Sequence, residues 1–263
     1  MLIDTHCHLD AREFDADRSD VVAAARRSGV GTIVVPAVEC ASFAAVARVC
    51  SDYPGCAGAF GIHPMYVEQA READMEVLRA TLLAQRGSVV AVGEIGLDHF
   101  VPGRDENRQE FCFVAQLKLA REFDLPVILH VRRAIDAVLK QLRRYRPRGG
   151  IAHAFNGSAL QADEFIKLGF KLGFGGTMTY PRALRIRELA ANLPLEAMVL
   201  ETDAPDIPPV WLARRRNQPG ELARIAAELA LLRGMPVDQI ARITGANAIA
   251  ALPGLGSWKP FTA

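Results

Sequence analysis

The sequence has no excess of charge of either sign. Its 31 lysines and arginines stand against 30 aspartates and glutamates, a formal net charge of +1. That excludes a global basic field of the kind that gathers nucleic acid, so any contact with phosphates must come from local groups. Paired cysteines are missing too. The five, at 7, 40, 50, 56 and 112, are odd in number and form no CxxC. No apolar run approaches membrane-spanning length, so no membrane partner is expected. There is no low-complexity tract and no linker rich in Pro, Gly or Ser. Met1-Leu2-Ile3 opens an apolar run with no room for a secretory segment before it. Together with the cysteine usage this predicts a reduced, cytoplasmic protein. Nothing in the composition points to an obligate protein partner.

What is present is length and apolar content. The 263 residues are 50% hydrophobic, enough for a sizeable core. Short apolar runs alternate with longer amphipathic stretches. The runs are Leu2-Ile3, Gly31 to Val35, Cys56 to Ile62, Ser88 to Gly93, Val127 to Leu129, Gly150 to Ala152, Phe170 to Phe174 and Ala197 to Leu200. Between them fall helical patterns such as Arg18 to Ser28, Glu72 to Arg86, Asn107 to Phe123 and Ala134 to Tyr145, with two more, Gly220 to Arg233 and Val237 to Ala250, at the end. Eight strands alternating with helices predict parallel strands joined by crossovers. The length fits a (β/α)8 TIM barrel with an extra C-terminal helix, as one domain over 1–263. A doubly wound open sheet is the rival. It usually carries a Gly-rich phosphate turn after an early strand, where this chain has histidines.

Barrel active sites gather at the C-terminal ends of the strands. His6 and His8 follow the first run, His63 the third, Glu94 the fourth, His130 the fifth, His153 the sixth, and Glu201 and Asp203 the eighth. Five of the six histidines thus stand at strand ends, a concentration that chance placement would not produce. Four of these histidines with two carboxylates suit two divalent metal ions. The natural partition puts His6, His8 and Asp203 on one ion and His130 and His153 on the other, with Glu94 bridging. Two ions about 3.5–4 Å apart can clamp a scissile phosphate and acidify a nucleophilic water. Asp203 could accept that water's proton. Mg²⁺, Mn²⁺ and Zn²⁺ all remain open, since nitrogen-rich ligands suit the last two and Mg²⁺ prefers oxygen.

Other polar groups carry two readings each. His63 before Pro64 either shapes a turn or touches substrate. Arg132, two residues past His130, either meets an anionic substrate or is solvated. Glu201 either supports a ligand or caps a helix, and Asp4 either orients a histidine or ends a strand. His99 reads as packing or surface. Cys7 should face away from its histidine neighbours as a small buried residue. The Arg214-Arg215-Arg216 cluster follows strand eight and could meet a phosphate backbone, although most charge clusters are solvated faces.

The motifs Asp4-Thr5-His6-Cys7-His8, Gly93-Glu94-Ile95-Gly96-Leu97-Asp98, Leu125 to His130, His153-Ala154-Phe155-Asn156-Gly157-Ser158 and Glu201-Thr202-Asp203-Ala204-Pro205 occur in fixed order. Through them, and Asn217-Gln218-Pro219 with Asn247, the chain resembles the TatD family of metal-dependent deoxyribonucleases nearly end to end. The resemblance implies a (β/α)8 barrel, a two-metal centre and hydrolysis of DNA phosphodiesters, with single strands or ends as substrate. It implies metal ligation by His6, His8, Glu94, His130, His153 and Asp203, places His63 and Arg132 around the substrate phosphate, and implies Mg²⁺-supported activity. The chain departs from the family pattern at His99-Phe100, where a tyrosine pair is usual, and at Asp206, where an aromatic residue is common.

The primary expectation is therefore a metal-dependent deoxyribonuclease. A small-molecule or aminoacyl-ester or amide hydrolase on the same centre is the alternative; a lysine on strand four would have favoured an amidohydrolase, and Glu94 stands there instead. A non-catalytic metal-binding scaffold is the third reading, opposed by the full ligand set.

Overall fold

The rhythm of apolar runs and amphipathic stretches becomes a ring of eight strands wrapped in helices in the computed structural model, which describes residues 1–71, 73–257, 260 and 261. The strands are β1 (Leu2–Asp4), β2 (Val30–Pro36), β3 (Cys56–Phe60), β4 (Val89–Asp98), β5 (Val127–Arg132), β6 (Gly150–Ala152), β7 (Phe170–Phe174) and β8 (Met198–Leu200). The helices are α1 (Arg18–Arg27), α2 (Phe43–Asp52), α3 (Ala73–Ala84), α4 (Glu106–Glu122), α5 (Ile135–Tyr145), α6 (Ala159–Lys167), α7 (Leu184–Asn192), α8 (Leu222–Arg233) and α9 (Val237–Ala251). Glu72, the expected start of the third helix, lies outside the described residues. Neighbouring strands pair in parallel in the order β1 to β8. This is the (β/α)8 barrel that the alternation predicted, with α9 as the extra C-terminal helix.

Local chemistry explains the element ends. Ser158 accepts the Gln161 N–H, and the Gln161 side chain returns to the Ser158 N–H, a reciprocal cap that starts α6. Asp105 accepts the Arg108 N–H and starts α4. Two strands outrun their apolar segments. β4 continues past Gly93 to Asp98, and β5 past Leu129 to Arg132. The two pair along this extension, with Gly96 opposite His130 and Asp98 opposite Arg132. Gly96 is required there. Its φ is +150°, and a Cβ would lie 1.9 Å from the His130 carbonyl oxygen.

Two apolar layers separate cleanly. Ile33, Val35, Phe60, Leu129 and Leu200 face outward onto the helices. Ile3, Val34, Ala57, Ala59, Ile128, Ile151 and Val199 fill the barrel interior. That interior layer also contains Ala248, Ala251, Leu252 and Leu255, so α9 and the turn after it plug one end of the barrel. Asn247 fastens the plug, donating from Nδ2 to the carbonyls of Leu195 and Met198 at 2.8 Å each.

Alternation then places the site at the other end. Side chains two apart on a strand share a face. Ile128 and His130, Ile151 and His153, and Val199 and Glu201 are such pairs, the first of each inside the barrel. The ring closes between β8 and β1 at this same mouth. The Thr5 N–H and hydroxyl both donate to the Leu200 carbonyl at 3.1 Å, and Asp203 N–H donates to the His6 carbonyl at 2.8 Å. Asp4 accepts the Thr202 N–H at 2.9 Å and its hydroxyl at 2.6 Å. Asp4 also takes the His6 backbone N–H, at 3.3 Å, and no imidazole, so it joins the first strand to the last. Among the described residues no helix is long and apolar enough to cross a membrane.

Candidate metal centre

Glu94 is the hub of the mouth, with a side chain only 2% exposed. Its Oε2 lies 3.2 Å from His6 Nε2 and 3.7 Å from His8 Nε2. Its Oε1 lies 3.1 Å from His130 Nδ1, 3.3 Å from His153 Nε2 and 3.5 Å from His63 Nε2. One carboxylate thus divides its oxygens between two groups of imidazoles. Asp203 joins the first group, with Oδ1 at 3.5 Å from His6 Nε2 and 3.7 Å from His8 Nε2. All six residues expected as ligands are therefore gathered in one cluster, and His63 is brought in with them.

Four of the five imidazoles are oriented by what their other nitrogen meets. His8 donates from Nδ1 to the Pro36 carbonyl at 3.2 Å, which leaves the Nε2 lone pair aimed at Glu94 and Asp203. His130 Nε2 meets Asp98 Oδ2 at 2.9 Å, and His153 Nδ1 lies 3.4 Å from Glu201 Oε1. Glu201 is held in turn by the Ala154 N–H at 2.5 Å. Gly173 makes room for it, since a Cβ there would lie 2.1 Å from Glu201 Oε2. His63 differs in its tautomer. Its Nδ1 accepts the Met65 N–H at 3.1 Å, so a neutral ring carries its proton on Nε2, the atom that faces Glu94. His6 stacks on His153 at 3.8 Å between ring centroids, and its Nδ1 is buried without a hydrogen-bond partner.

Burial sets the charges. It pulls His63 down to about 3, so that ring is neutral. It pushes Asp203 up to about 6 against the opposing pull of His153 and His8. It also opposes charge on Glu94, but the charged His153 and a hydrogen bond to His130 hold the carboxyl well below its ordinary range. Burial pulls His153 down as well, yet Glu94, Asp203 and Glu201 raise it to about 10.

The donor set fits divalent metal ions. Three groups have ligand atoms mutually within 4.8 Å: His6, His8 and Asp203; His6, Glu94 and His153; His63, Glu94 and His130. His6 and His8 bring their Nε2 atoms within 3.2 Å of each other, where two lone pairs repel unless a proton or a cation lies between them. Mixed imidazole and carboxylate donors are those that hold divalent metal ions.

The family model for TatD related DNase matches residues 3–253. The chain belongs to this family. It is a metal-dependent hydrolase of the TatD type. It is 44% identical over 241 residues to the "uncharacterized metal-dependent hydrolase YjjV" of Escherichia coli (strain K12), spanning 91% of this chain and 93% of that one. The crystal structure of YjjV, a TatD homologue from that organism, superimposes with a TM-score of 0.93 at 43% identity, covering 96% of this chain and 98% of that one. A "3'-5' ssDNA/RNA exonuclease TatD" of Klebsiella pneumoniae (strain 342) is 35% identical over 253 residues, or 94% of this chain and 95% of that one.

The other polar groups fall outside the cluster. Arg132 is exposed and lies over the Phe100 ring, 3.6 Å from its centroid. His99 is 3.9 Å from Glu106. Arg216 pairs with Asp17 at 2.6 Å and stacks on Phe14, so part of the 214–216 cluster is committed within the fold. Cys7 is fully buried, and burial pushes its thiol far up. Sequence reasoning missed Asp98 as a partner of His130. The available signal was strand spacing: Glu94 and Asp98 are four apart and share a face once β4 extends through both.

Proposed function

We propose that this enzyme is a deoxyribonuclease that hydrolyses phosphodiester bonds in single-stranded DNA or at DNA ends, with residues 1–263 acting as one hydrolase domain. The observation that carries this reading is the division of Glu94 between the His6–His8 side and the His63–His130–His153 side. In this reading His6, His8 and Asp203 would hold one divalent ion and His130 and His153 a second, with Glu94 placed to serve both. Bound there, the ions supply Lewis-acid polarisation of the phosphate and acidify the attacking water.

The chain's own residues supply the rest. Asp203, beside His6 and His8, takes the proton of the attacking water. The water oxygen bonds to phosphorus as one P–O ester bond breaks, and the departing sugar oxygen leaves as a hydroxyl with the proton that Asp203 received. His63 is neutral and has its proton on Nε2, so it offers a hydrogen bond to a phosphate oxygen and not a lone pair to a metal. Arg132, outside the ligand cluster, meets the charge of the substrate. Asp98 and Glu201 keep His130 and His153 turned toward Glu94. The name of the Klebsiella relative supports a nucleic-acid substrate.

The test is hydrolysis of an end-labelled single-stranded oligodeoxynucleotide by metal-stripped protein resupplied with Mg²⁺, Mn²⁺ or Zn²⁺, beside Asp203→Ala. Cleavage by the wild type alone is expected. No cleavage by metal-loaded wild type, with turnover of an aminoacyl ester or an amide instead, overturns the nuclease reading in favour of the other hydrolase class.

A further inference from the structure

We propose that Phe100 carries Arg132 and Arg133 as a paired guanidinium fork that binds a second phosphate of the substrate, next to the one that is cleaved. This rests on the nuclease reading and adds to it a requirement for a neighbouring phosphate.

Three observations converge on the fork. First, both guanidinium groups lie over one ring. Arg132 Cζ is 3.6 Å and Arg133 Cζ 4.6 Å from the Phe100 centroid, close enough for cation–π attraction. Consecutive side chains on a strand diverge to opposite faces. Here β5 ends at Arg132, and Arg133 adopts a left-handed φ of +53°, which breaks the alternation and lets two adjacent arginines reach the same ring.

Second, neither arginine of the pair is in an ion pair among the described residues, although the Asp98 charge acts on Arg132 from behind. Arg79, Arg104, Arg143, Arg148, Arg187 and Arg216 each have a carboxylate within ion-pair distance. Among the described residues no carboxylate oxygen lies within 4 Å of Arg132 or Arg133. The nearby Asp98 is 2% exposed and its oxygens are taken, Oδ2 by His130 Nε2 and Oδ1 by the Phe100 N–H, at 2.9 Å each. Two like charges held together with no carboxylate in ion-pair contact form a site for an anion. Two guanidinium forks match phosphate oxygens better than two ammonium groups would.

Third, the fork is registered to the metal centre. The carboxylate that orients His130 also fixes the backbone of Phe100, so ring and ligand share one anchor. Arg132 stands opposite Asp98 in the β4–β5 ladder and two residues beyond His130. The ring remains 41% exposed, so the fork opens to solvent at the mouth. A nucleic acid strand, with a phosphate at every nucleotide, presents a second anion beside the first wherever it is cut.

The experiment compares two substrates on metal-loaded enzyme: a single-stranded decanucleotide, and bis(p-nitrophenyl) phosphate, a diester with no second phosphate. For Arg133→Ala and Phe100→Ala, the ratio of kcat/KM on DNA to kcat/KM on the small diester should fall about tenfold, through KM. The slope of log KM for DNA against log salt should shrink by roughly 0.7 for each lost phosphate contact. Phe100→Tyr should restore the ratio, and Arg144→Ala, a charge loss on the outer face of α5, should leave ratio and slope as in wild type. Equal losses on both substrates, which mark mere damage to the centre through Asp98, overturn the fork, and so does an unchanged ratio. Wild type that cuts neither substrate defeats the nuclease reading on its own. The fork is then judged by equilibrium binding of the labelled decanucleotide, where equal affinity and salt slope in wild type and Arg133→Ala overturn it.

Discussion

Asp98 accepts a hydrogen bond from His130 Nε2 at 2.9 Å, and this contact turns the opposite ring nitrogen, Nδ1, toward Glu94 at 3.1 Å. Burial works against the Asp98 charge, but His130 and the Phe100 N–H hold the carboxyl down at about 2. The anion is thus present throughout the neutral range and fixes the imidazole from behind, as a carboxylate does behind many metal-bound histidines. Asp98→Asn should keep the fold, judged by its far-UV circular dichroism, and weaken the binding of one divalent ion by about 10–100-fold. Metal affinity equal to wild type would show that His130 needs no such support.

Glu94 touches both halves of the centre, so its loss should disturb both. Glu94→Ala is expected to remove measurable turnover and to lower bound metal while leaving the barrel folded. Metal analysis of the dialysed variant checks this. His130→Ala should also abolish turnover, but it should lower metal content less, because the His6, His8 and Asp203 group remains. Full turnover by Glu94→Ala contradicts its bridging role.

Metal uptake should release protons. Without metal, burial lowers His153, but Glu94, Asp203 and Glu201 raise it to about 10; His130 is raised by Asp98 and Glu94 against the same opposing burial. His153 is then protonated near neutral pH and His130 holds its proton more tightly than a free imidazole, so an ion must displace protons to bind. Affinity should therefore rise with pH. For the metal-free protein the sign is reversed. A histidine raised on folding adds stability below its ordinary value near 6.5, and that stability is lost as pH rises through the folded value of about 10. Calorimetric titrations with Mn²⁺ in two buffers of different ionisation enthalpy should give different apparent heats. Identical heats would mean that no protons leave.

The plugged end of the barrel is predicted to be separable from the mouth. Asn247→Ala strips the carbonyls of Leu195 and Met198 of their side-chain donor. Stability should fall by roughly 1–3 kcal/mol, read as a lower denaturant midpoint. Activity per folded molecule should be kept. A fall in kcat with unchanged stability would contradict the separation.

Much of this architecture was legible because barrel geometry converts strand order into place. Gly150–Ala152 and Phe170–Phe174 coincide with their strands, and a histidine or carboxylate two residues past an inward apolar side chain had to point into the mouth. What escaped was set by strand pairing, turn geometry and backbone conformation that residue types alone do not specify. Hydropathy ends β4 at Gly93, whereas its ladder with β5 carries it to Asp98, so Asp98 was read only as part of a motif and not as the partner of His130. The tautomer of His63 depends on the Met65 N–H, a turn geometry that residue types do not encode. Asp4 could be assigned to closure only once its carboxylate was seen to take the Thr202 N–H and hydroxyl. The meeting of Arg132 and Arg133 on Phe100 depends on one left-handed residue.

The central claim is that one cluster around Glu94 binds metal and uses it to cut DNA. The most direct measurement titrates Mn²⁺ into metal-stripped protein and reads bound metal and cleavage of a labelled single strand on the same samples. The account predicts no cleavage in chelator, cleavage that rises as a second equivalent binds, and none for Asp203→Ala at any loading. Cleavage by the stripped protein in chelator, or two equivalents bound with the strand left intact, would contradict it.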